Sequence, residues 1–344
     1  MARRGTAMTD TANPRWTHRP DGSNWGDFGP DDQLGRMNLI TPEVRLAALR
    51  EVREGKVFIL SLPLDLPGGE DEHAPRKAPR LISNELGGNA LCNHPITPTD
   101  LTCDDTVILS LQYSTQWDAL VHWGRTYDVH GDGKPVPVYY NGYRAHEHVT
   151  CGTDGSGPFA SRLGIENMAT TGVQGRGVLV NLVKAFGSER QWIDHGMLMQ
   201  AIDEQGVEVR QGDMLALYTG YGDAVMAMNG QADEAELAKV GGVLRGSDER
   251  LLDWIEASGL SAVISDNQAV EGFDLENPAD GPGGMLPLHD RCLFKLGVHL
   301  GELWWLKDLA EYLDAQGRHA FLLTAPPLRL PGAAGSPATP VATV

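Results

Sequence analysis

Periodic apolar positions along the chain predict several amphipathic helices. The first is expected to begin after Thr41, which can cap it, with Pro42 at the first helical position, and to end at Gly55. The same spacing predicts helices for GMLMQAIDEQG, DEAELAKVGG, DERLLDWIEASG and GELWWLKDLAEYLDAQG. The last of these would place Glu302 in the first turn of a helix.

Short apolar runs predict the strands VFILSLPL, TVILSLQY, GVLVNLV, MLALYTG, SAVISD and HAFLLTAPP. Strands outnumber helices and do not alternate strictly with them, which favours an α/β or α+β fold. Residues 1–15 are predicted to be a mobile tail, and residues 16–344 a single domain. The closing sequence PGAAGSPATPVATV has the composition of a flexible end.

Composition and charge exclude several classes of partner. The formal charge of -18 argues against nucleic acid and anionic lipid, which need clustered Lys and Arg. No apolar run reaches 18 residues and the first residues lack a secretion signal, so we expect a cytoplasmic protein without a membrane span. The cysteines, at positions 92, 103, 151 and 292, show no CxxC spacing and are expected to be small buried side chains.

Residues 111–122, LQYSTQWDALVH, place polar side chains at every second position of a predicted strand. One face would carry Gln112, Ser114, Gln116 and Asp118. A solvent-exposed face would explain this pattern. A strand that lines a pocket would also explain it, with His122 just beyond the strand end. A carboxylate and an imidazole so placed can bind a metal or exchange protons.

A second candidate segment is PLHDRCLFKLGVHLGELWWL. His289 follows a proline in a predicted loop, and Glu302 opens the next predicted helix. A glutamate in a first helical turn is often only a partner of the helix dipole, so the residues alone leave its role open.

Several of these stretches resemble the cyclase family, which includes bacterial kynurenine formamidases and isatin hydrolase. The resemblance extends from about residue 24 to residue 337 and is carried by NWGDFGPDDQLGRMNLITPE, GKVFILSLPL, GRGVLVNL, GDMLALYTGYGD, SDNQAVE and HDRCLFKLGVHLGE. It implies a swivelling β/β/α fold, with a mostly antiparallel, barrel-like sheet flanked by helices, usually in homodimers or homotetramers. The sequence PPLRLPGAAGSP also resembles the family's closing segment, which implies order where composition indicates a flexible end.

The family motif HxGTHxDxPxH aligns with residues 112–122, where both early histidines are glutamines. The pattern TQWD in place of GTHxD is typical of the family's longer members. The resemblance implies metal ligands at Gln112, Gln116, Asp118, His289 and Glu302. It also implies that His122 is the general base, with Asp118 as its catalytic partner.

The two His-to-Gln changes affect the expected metal. An amide oxygen is a weaker zinc ligand than imidazole, so a dinuclear zinc site is not expected. We expect one divalent ion per chain, Mn²⁺ or Zn²⁺, with Asp118 as its central ligand, or no metal at all. Trp117 and Trp123 are candidates for the wall of an apolar substrate pocket.

These observations favour a metal-dependent hydrolase, similar to kynurenine formamidase, that opens a non-peptide C–N or C–O bond of an amide, lactam or related carbonyl compound. The substrate would be small, with an aromatic group. Two alternatives stay open: a metal-independent cyclase or dehydratase of a natural-product pathway, and a small-molecule binding protein without catalysis.

Overall fold

A curled nine-stranded sheet forms the centre of the computed structural model, which describes residues 15–69, 75–154, 156–273 and 284–344. The strands in chain order are β1 (Val57–Ile59), β2 (Arg80–Ser83), β3 (Glu85–Leu86), β4 (Asn89–Ala90), β5 (His94–Pro95), β6 (Leu101–Thr102), β7 (Asp105–Ile108), β8 (Gln116–Asp118), β9 (Arg125–Tyr127), β10 (Val136–Val138), β11 (Val149–Thr150), β12 (Phe159–Ala160), β13 (Gln174–Asn181), β14 (Gln191–Ile193), β15 (Met214–Tyr218), β16 (Gly242–Leu244), β17 (Ala262–Ser265), β18 (His299–Glu302), β19 (Ala320–Thr324), β20 (Gly335–Pro337) and β21 (Val341–Thr343).

Helices flank this sheet. They are α1 (Pro42–Ala48), α2 (Ile165–Thr170), α3 (Leu182–Phe186), α4 (His195–Gln205), α5 (Tyr221–Met228), α6 (Glu234–Leu237), α7 (Glu249–Ser258), α8 (Pro287–His289) and α9 (Lys307–Gln316). A π-helical segment, Asp290–Leu296, directly follows α8.

The central sheet has the order β1-β21-β19-β13-β15-β17-β18-β8-β20. Its middle is parallel, through the pairs β13/β15, β15/β17 and β17/β18, and the other neighbours are antiparallel. The predicted α/β class, with a mostly antiparallel sheet flanked by helices, is confirmed. The parallel strands β15 and β17 are buried along their whole length because helices cover the sheet.

Local signals position the helices well. The Asp194 side chain accepts a hydrogen bond from the Met197 amide and so caps α4, and Gly206 ends the helix in the left-handed conformation. Thr41 caps α1 as predicted, but the α-helix ends at Ala48 and a short 3₁₀ turn follows.

Three predicted elements are wrong. Of TVILSLQY, residues 106–113, only the first three residues lie in a strand, β7, and residues 111–115 form turns and bends instead of continuing it. Glu302 ends strand β18, and the next helix begins only at Lys307. His289 is the last residue of α8 and does not lie in a loop. A short apolar run indicates that a segment is buried, but its periodicity cannot distinguish a strand from a turn of helix.

The closing segment is ordered, although its composition is that of a flexible end. Strand β21 lies between β1 and β19, and β20 pairs with β8. The order implied by the resemblance is therefore confirmed. The small residues and prolines of this segment give no local signal of a strand. Its strands form because they pair with β1, β8 and β19, and at least one partner of each is far away in the sequence. Residues 1–14 of the predicted tail lie outside the described residues.

Two further expectations concern the cysteines and membrane-spanning helices. All four cysteines are free, but only Cys292 is buried, so the prediction of burial is wrong for Cys92, Cys103 and Cys151, which lie in exposed segments. Among the described residues, no helix has the length and apolar character needed to cross a bilayer.

Candidate metal centre and active site

Three buried side chains from distant parts of the chain meet where β8 and β18 lie side by side. Asp118 ends β8, Glu302 ends β18, and the antiparallel register pairs Glu302 with Gln116. His289 comes from α8. One ligand atom from each of Asp118, His289 and Glu302 lies within 4.8 Å of the others. This spacing suits ligands of a single ion.

Oxygen atoms in this cluster are buried without hydrogen-bond partners among the described residues. They are both carboxylate oxygens of Asp118, Oε1 of Glu302 and Oε1 of Gln116. The Gln116 amide nitrogen donates to Oε2 of Glu302 at 2.7 Å, which turns the Gln116 oxygen away from that carboxylate. Leaving buried polar atoms unpaired costs about 1–3 kcal/mol each. A divalent cation would satisfy them, so the residues present fit a metal.

His289 is held from behind by Glu271. Its Nδ1 lies 2.8 Å from Oε1 of Glu271, and its backbone amide donates to the same oxygen at 2.8 Å. A carboxylate only accepts, so Nδ1 carries the hydrogen and Nε2 is directed to the cluster, 3.5 Å from Oε1 of Glu302. Burial lowers the pKa of His289, but the carboxylates of Glu271 and Glu302 outweigh it and raise the pKa to about 10, so without a cation Nε2 also carries a proton, which a metal ion would displace. A carboxylate behind a ligating histidine is the usual support of a metal site.

His122 stands beside this cluster at the cavity wall. Its Nε2 lies 3.9 Å from Oδ1 of Asp118, and about a quarter of its side chain is exposed. Burial lowers the pKa of His122 more than the neighbouring Asp118 raises it. Burial also raises the pKa of Asp118, to about 6, although the nearby His122 opposes this. A neutral imidazole with solvent access can accept a proton.

A cavity of about 830 Å³ opens onto these residues. His122, His289 and Glu302 lie in its wall, beside apolar side chains that include Trp123 and Phe273. A second cavity, of about 350 Å³, shares His122 and Trp123 with the first. The larger cavity has the size and mixed lining of a site for a small organic molecule.

The model of the Cyclase family matches residues 60–272, which is more than half of the chain. This chain belongs to the cyclase family. A solved structure described as a novel cyclase is 34% identical, covers 94% of this chain and 97% of its own, and superimposes with a TM-score of 0.76. No curated protein matches this chain.

More distant structures share the cyclase fold. Isatin hydrolase A from Labrenzia aggregata, bound to benzyl benzoate, is 14% identical, covers 83% of this chain and 93% of its own, and has a TM-score of 0.53. Isatin hydrolase A from Ralstonia solanacearum is 12% identical, with coverage of 88% and 97% and a TM-score of 0.54. At these identities the likeness is one of fold alone.

The two glutamines of the motif occupy different places in this cyclase-family chain. Gln116 is fully buried and touches Glu302. Gln112 lines the larger cavity, and its amide lies over Gly335, the residue paired with Asp118. A Cβ atom at Gly335 would come within 2.8 Å of the backbone oxygen of Trp117, which cannot move aside as the Gln112 side chain can, so a glycine is favoured there.

The two tryptophans also separate. Trp123 lines both cavities and meets the His289 ring edge to face at 5.5 Å. Trp117 lines neither. Its indole is fully buried against Trp304 and donates to the Ala325 carbonyl. Trp117 therefore lies in the core and not, as expected, in the wall of the substrate pocket. Successive strand residues point to opposite faces, which removes Trp117 from the face of Asp118.

Two supporting residues, Glu271 and His299, were not predicted from the sequence. His299 is buried in β18, and its Nδ1 lies 2.9 Å from the backbone carbonyl of Asp118. Because a carbonyl only accepts, Nδ1 carries a hydrogen. Burial lowers the pKa of His299 to about 4, so the ring is neutral and ties β18 to β8. Nothing in the spacing of either residue marks this role.

Proposed function

We propose that this chain is a metal-dependent hydrolase that opens a C–N or C–O bond at the carbonyl of a small aromatic molecule, such as an amide or a lactam. One observation carries the proposal. Buried, unpaired oxygens of Asp118, Gln116 and Glu302 meet Nε2 of His289 beside the partly exposed imidazole of His122. The isatin hydrolases share this fold, which is consistent with such chemistry.

The residues that would hold the ion are Asp118, Glu302, His289 and the side-chain oxygen of Gln116, with Gln112 close by in the cavity wall. Oxygen and imidazole ligands suit Mn²⁺ or Zn²⁺. When bound, such an ion polarises a carbonyl group and makes a water molecule a stronger nucleophile at neutral pH.

His122 is proposed as the general base. It accepts a proton from the attacking water as the new C–O bond forms at the carbonyl carbon. The proton then passes from His122 to the leaving nitrogen or oxygen as the original bond breaks. The Asp118 carboxylate, 3.9 Å from Nε2, stabilises the transient imidazolium.

The apolar side of the cavity is proposed to bind the aromatic part of the substrate. Trp123 and Phe273 lie in the wall that also contains His122. Burying a ring there removes apolar surface from water and places the carbonyl end at the polar side of the cavity.

The test combines elemental analysis of the purified chain with a hydrolysis screen of aromatic N-formyl compounds, lactams and esters. We expect one Mn²⁺ or Zn²⁺ ion per chain or fewer, loss of turnover on chelation, and recovery when the ion is restored. His122→Ala should keep its metal and fold and lose turnover by about 10²- to 10⁴-fold. Asp118→Ala should lose both metal and activity.

His18→Ala is the matched control, because His18 is exposed and lines neither cavity. Two tightly held zinc ions per chain would contradict the single-ion site. Full turnover after complete chelation would favour a metal-independent cyclase or dehydratase. A His122→Ala enzyme with normal turnover would remove the proposed base.

A further inference from the structure

Residues 80–108 form an arm that contains no buried residue, and both Cys92 and Cys103 lie in it. Among the described strands, those of the arm pair with one another: β2 with β7, β3 with β4, and β5 with β6. A pair of strands without an apolar core is at best marginally stable in water. Folded segments that cannot build a core commonly use disulfides instead.

The two cysteines stand opposite each other in the arm, because backbone pairing brackets them on both sides. On one side, the Asp104 amide donates to the Leu91 carbonyl at 2.9 Å. On the other side, β5 begins with the residue after Asn93 and pairs with the last residue of β6, which precedes Cys103. Between these points one strand contains Cys92 and Asn93, and the other contains Cys103. Two residues opposite one are the arrangement of a β-bulge, in which all three are cross-strand neighbours.

Both sulfur atoms contact the same asparagine. Sγ of Cys103 lies 3.1 Å from the backbone nitrogen of Asn93 and 3.8 Å from its Oδ1. Sγ of Cys92 lies 4.0 Å from Nδ2 of that side chain. Residues that oppose each other in a strand pair have Cα atoms about 4.5–5.5 Å apart, inside the range of about 4.4–6.8 Å found in disulfides. Because both side chains are exposed, they can rotate until the sulfur atoms meet.

We propose that Cys92 and Cys103 are the site of a reversible disulfide that joins the two strands of the arm. The oxidant is a low-molecular-weight disulfide such as oxidised glutathione. One cysteine thiolate attacks it, forms a mixed disulfide and releases one glutathione thiolate. The second cysteine thiolate attacks the protein sulfur of that mixed disulfide, so the bond between Cys92 and Cys103 forms and a second glutathione leaves. The two protons that the cysteines lose end on the two glutathione molecules.

The other two cysteines provide the comparison. Cys292 is buried, whereas Cys151 is exposed and lies outside the arm. Cys92 and Cys103 are held within one short segment, so each thiol meets the other at a high effective concentration. Cys151 gains no such advantage and is expected to form only a mixed disulfide with glutathione.

The test incubates the full chain in buffers of reduced and oxidised glutathione, blocks the remaining thiols with iodoacetamide, and digests the protein with a protease that cleaves before aspartate. Cleavage before Asp100 separates Cys92 from Cys103. Mass spectrometry without reduction should then detect the two peptides joined, with the loss of two hydrogen atoms. The joined peptides should appear at roughly tenfold less oxidised glutathione than the adduct of Cys151.

Hydrogen exchange measures the effect on the arm. In the oxidised wild type, arm amides such as those of Leu91 and Asp104 should exchange about tenfold more slowly than in the reduced protein. Cys103→Ser should abolish this difference and leave Cys92 with a glutathione adduct. Cys151→Ser is the matched control at an exposed cysteine and should retain both the joined peptides and the slower exchange. Circular dichroism checks that each variant is folded, since none of these cysteines is buried.

Separate glutathione adducts on Cys92 and Cys103, without joined peptides at any ratio, would overturn the proposal. Links between two Cys92 peptides, which must come from two chains, in place of the internal link would also overturn it. Joined peptides with unchanged exchange of the arm amides would refute the stabilising role. Neither substrate turnover nor metal content enters these measurements, so their outcome is independent of the proposed function.

Discussion

Replacing the Asp118 carboxylate by an amide, Asp118→Asn, should stabilise the metal-free protein while weakening metal binding. Both Asp118 oxygens are buried, and neither has a hydrogen-bond partner among the described residues. Without a cation, the folded chain therefore holds a carboxylate that would be better solvated after unfolding. The substitution keeps the shape of the side chain and removes the charge.

The size of the expected stabilisation follows from the pKa of Asp118. Burial raises the pKa of Asp118 from 3.8 to about 6 in the folded protein. As pH rises above about 4, the unfolded chain loses its proton first, so the folded state loses stability until the pH exceeds about 6. At pH 8 the full penalty is about 3 kcal/mol, and at pH 5 it is about half of that. The new amide hydrogens need partners, and leaving them unpaired costs about 1–3 kcal/mol, which reduces the gain at pH 8 to about 0–2 kcal/mol.

Urea unfolding of chelator-treated wild type and Asp118→Asn at pH 5 and pH 8 measures this difference. Asp21→Asn, at an exposed carboxylate, is the control and should change the free energy of unfolding by no more than about 0.5 kcal/mol. Adding Mn²⁺ or Zn²⁺ should reverse the order, because only the wild type gains stability from tight binding. An Asp118→Asn protein less stable than the wild type at pH 8, or an equal difference at both pH values, would refute the reasoning.

Two further predictions concern the neighbours of the cluster. Glu271→Gln should lower the affinity for Mn²⁺ or Zn²⁺ by about 10- to 100-fold in calorimetric titrations, because an amide offers only one acceptor oxygen where the carboxylate holds both His289 and the Leu288 amide. Glu236→Gln, on the exposed surface, should leave that affinity unchanged, and equal effects would contradict the supporting role. Trp123→Leu should raise KM about tenfold for aromatic substrates and much less for non-aromatic ones, so a uniform change would argue against ring binding by Trp123.

Much of the secondary structure was readable from local pattern. Helix α4 begins after its N-cap residue Asp194 and ends at Gly206. Apolar runs in the sequence also mark α7 and the strands β13, β15 and β17. These signals act over a few residues, because a cap or a left-handed glycine satisfies backbone groups of its own helix. Beyond the overlong strand at residues 106–113 and the loop expected at His289, the errors occurred at Glu302 and in the closing segment, where distant pairing decides the conformation.

For the candidate site too, the sequence supplied the residue types, and contacts between distant residues set their positions. The residue types and the family resemblance pointed to Asp118, His289 and Glu302, but only the pairing of β8 with β18, together with the position of α8, brings these side chains within 4.8 Å of one another. The sequence could not show that Glu271 stands behind His289, because no periodic spacing relates the two. The two contacts of Glu271 with His289, to its backbone amide and to its Nδ1, are not encoded by a local sequence pattern.

By itself, the sequence determined the periodic elements, the acidic charge and the supply of carboxylate, amide and imidazole groups. The tertiary structure decided which face each group occupies: Trp117 in the core, Trp123 at the cavity, and residues 80–108 on an arm with no buried residue. The physical reason is that periodicity shows that a face is apolar but not what covers it. What covers a face depends on strand order and register, which contacts between distant residues establish only when the chain folds.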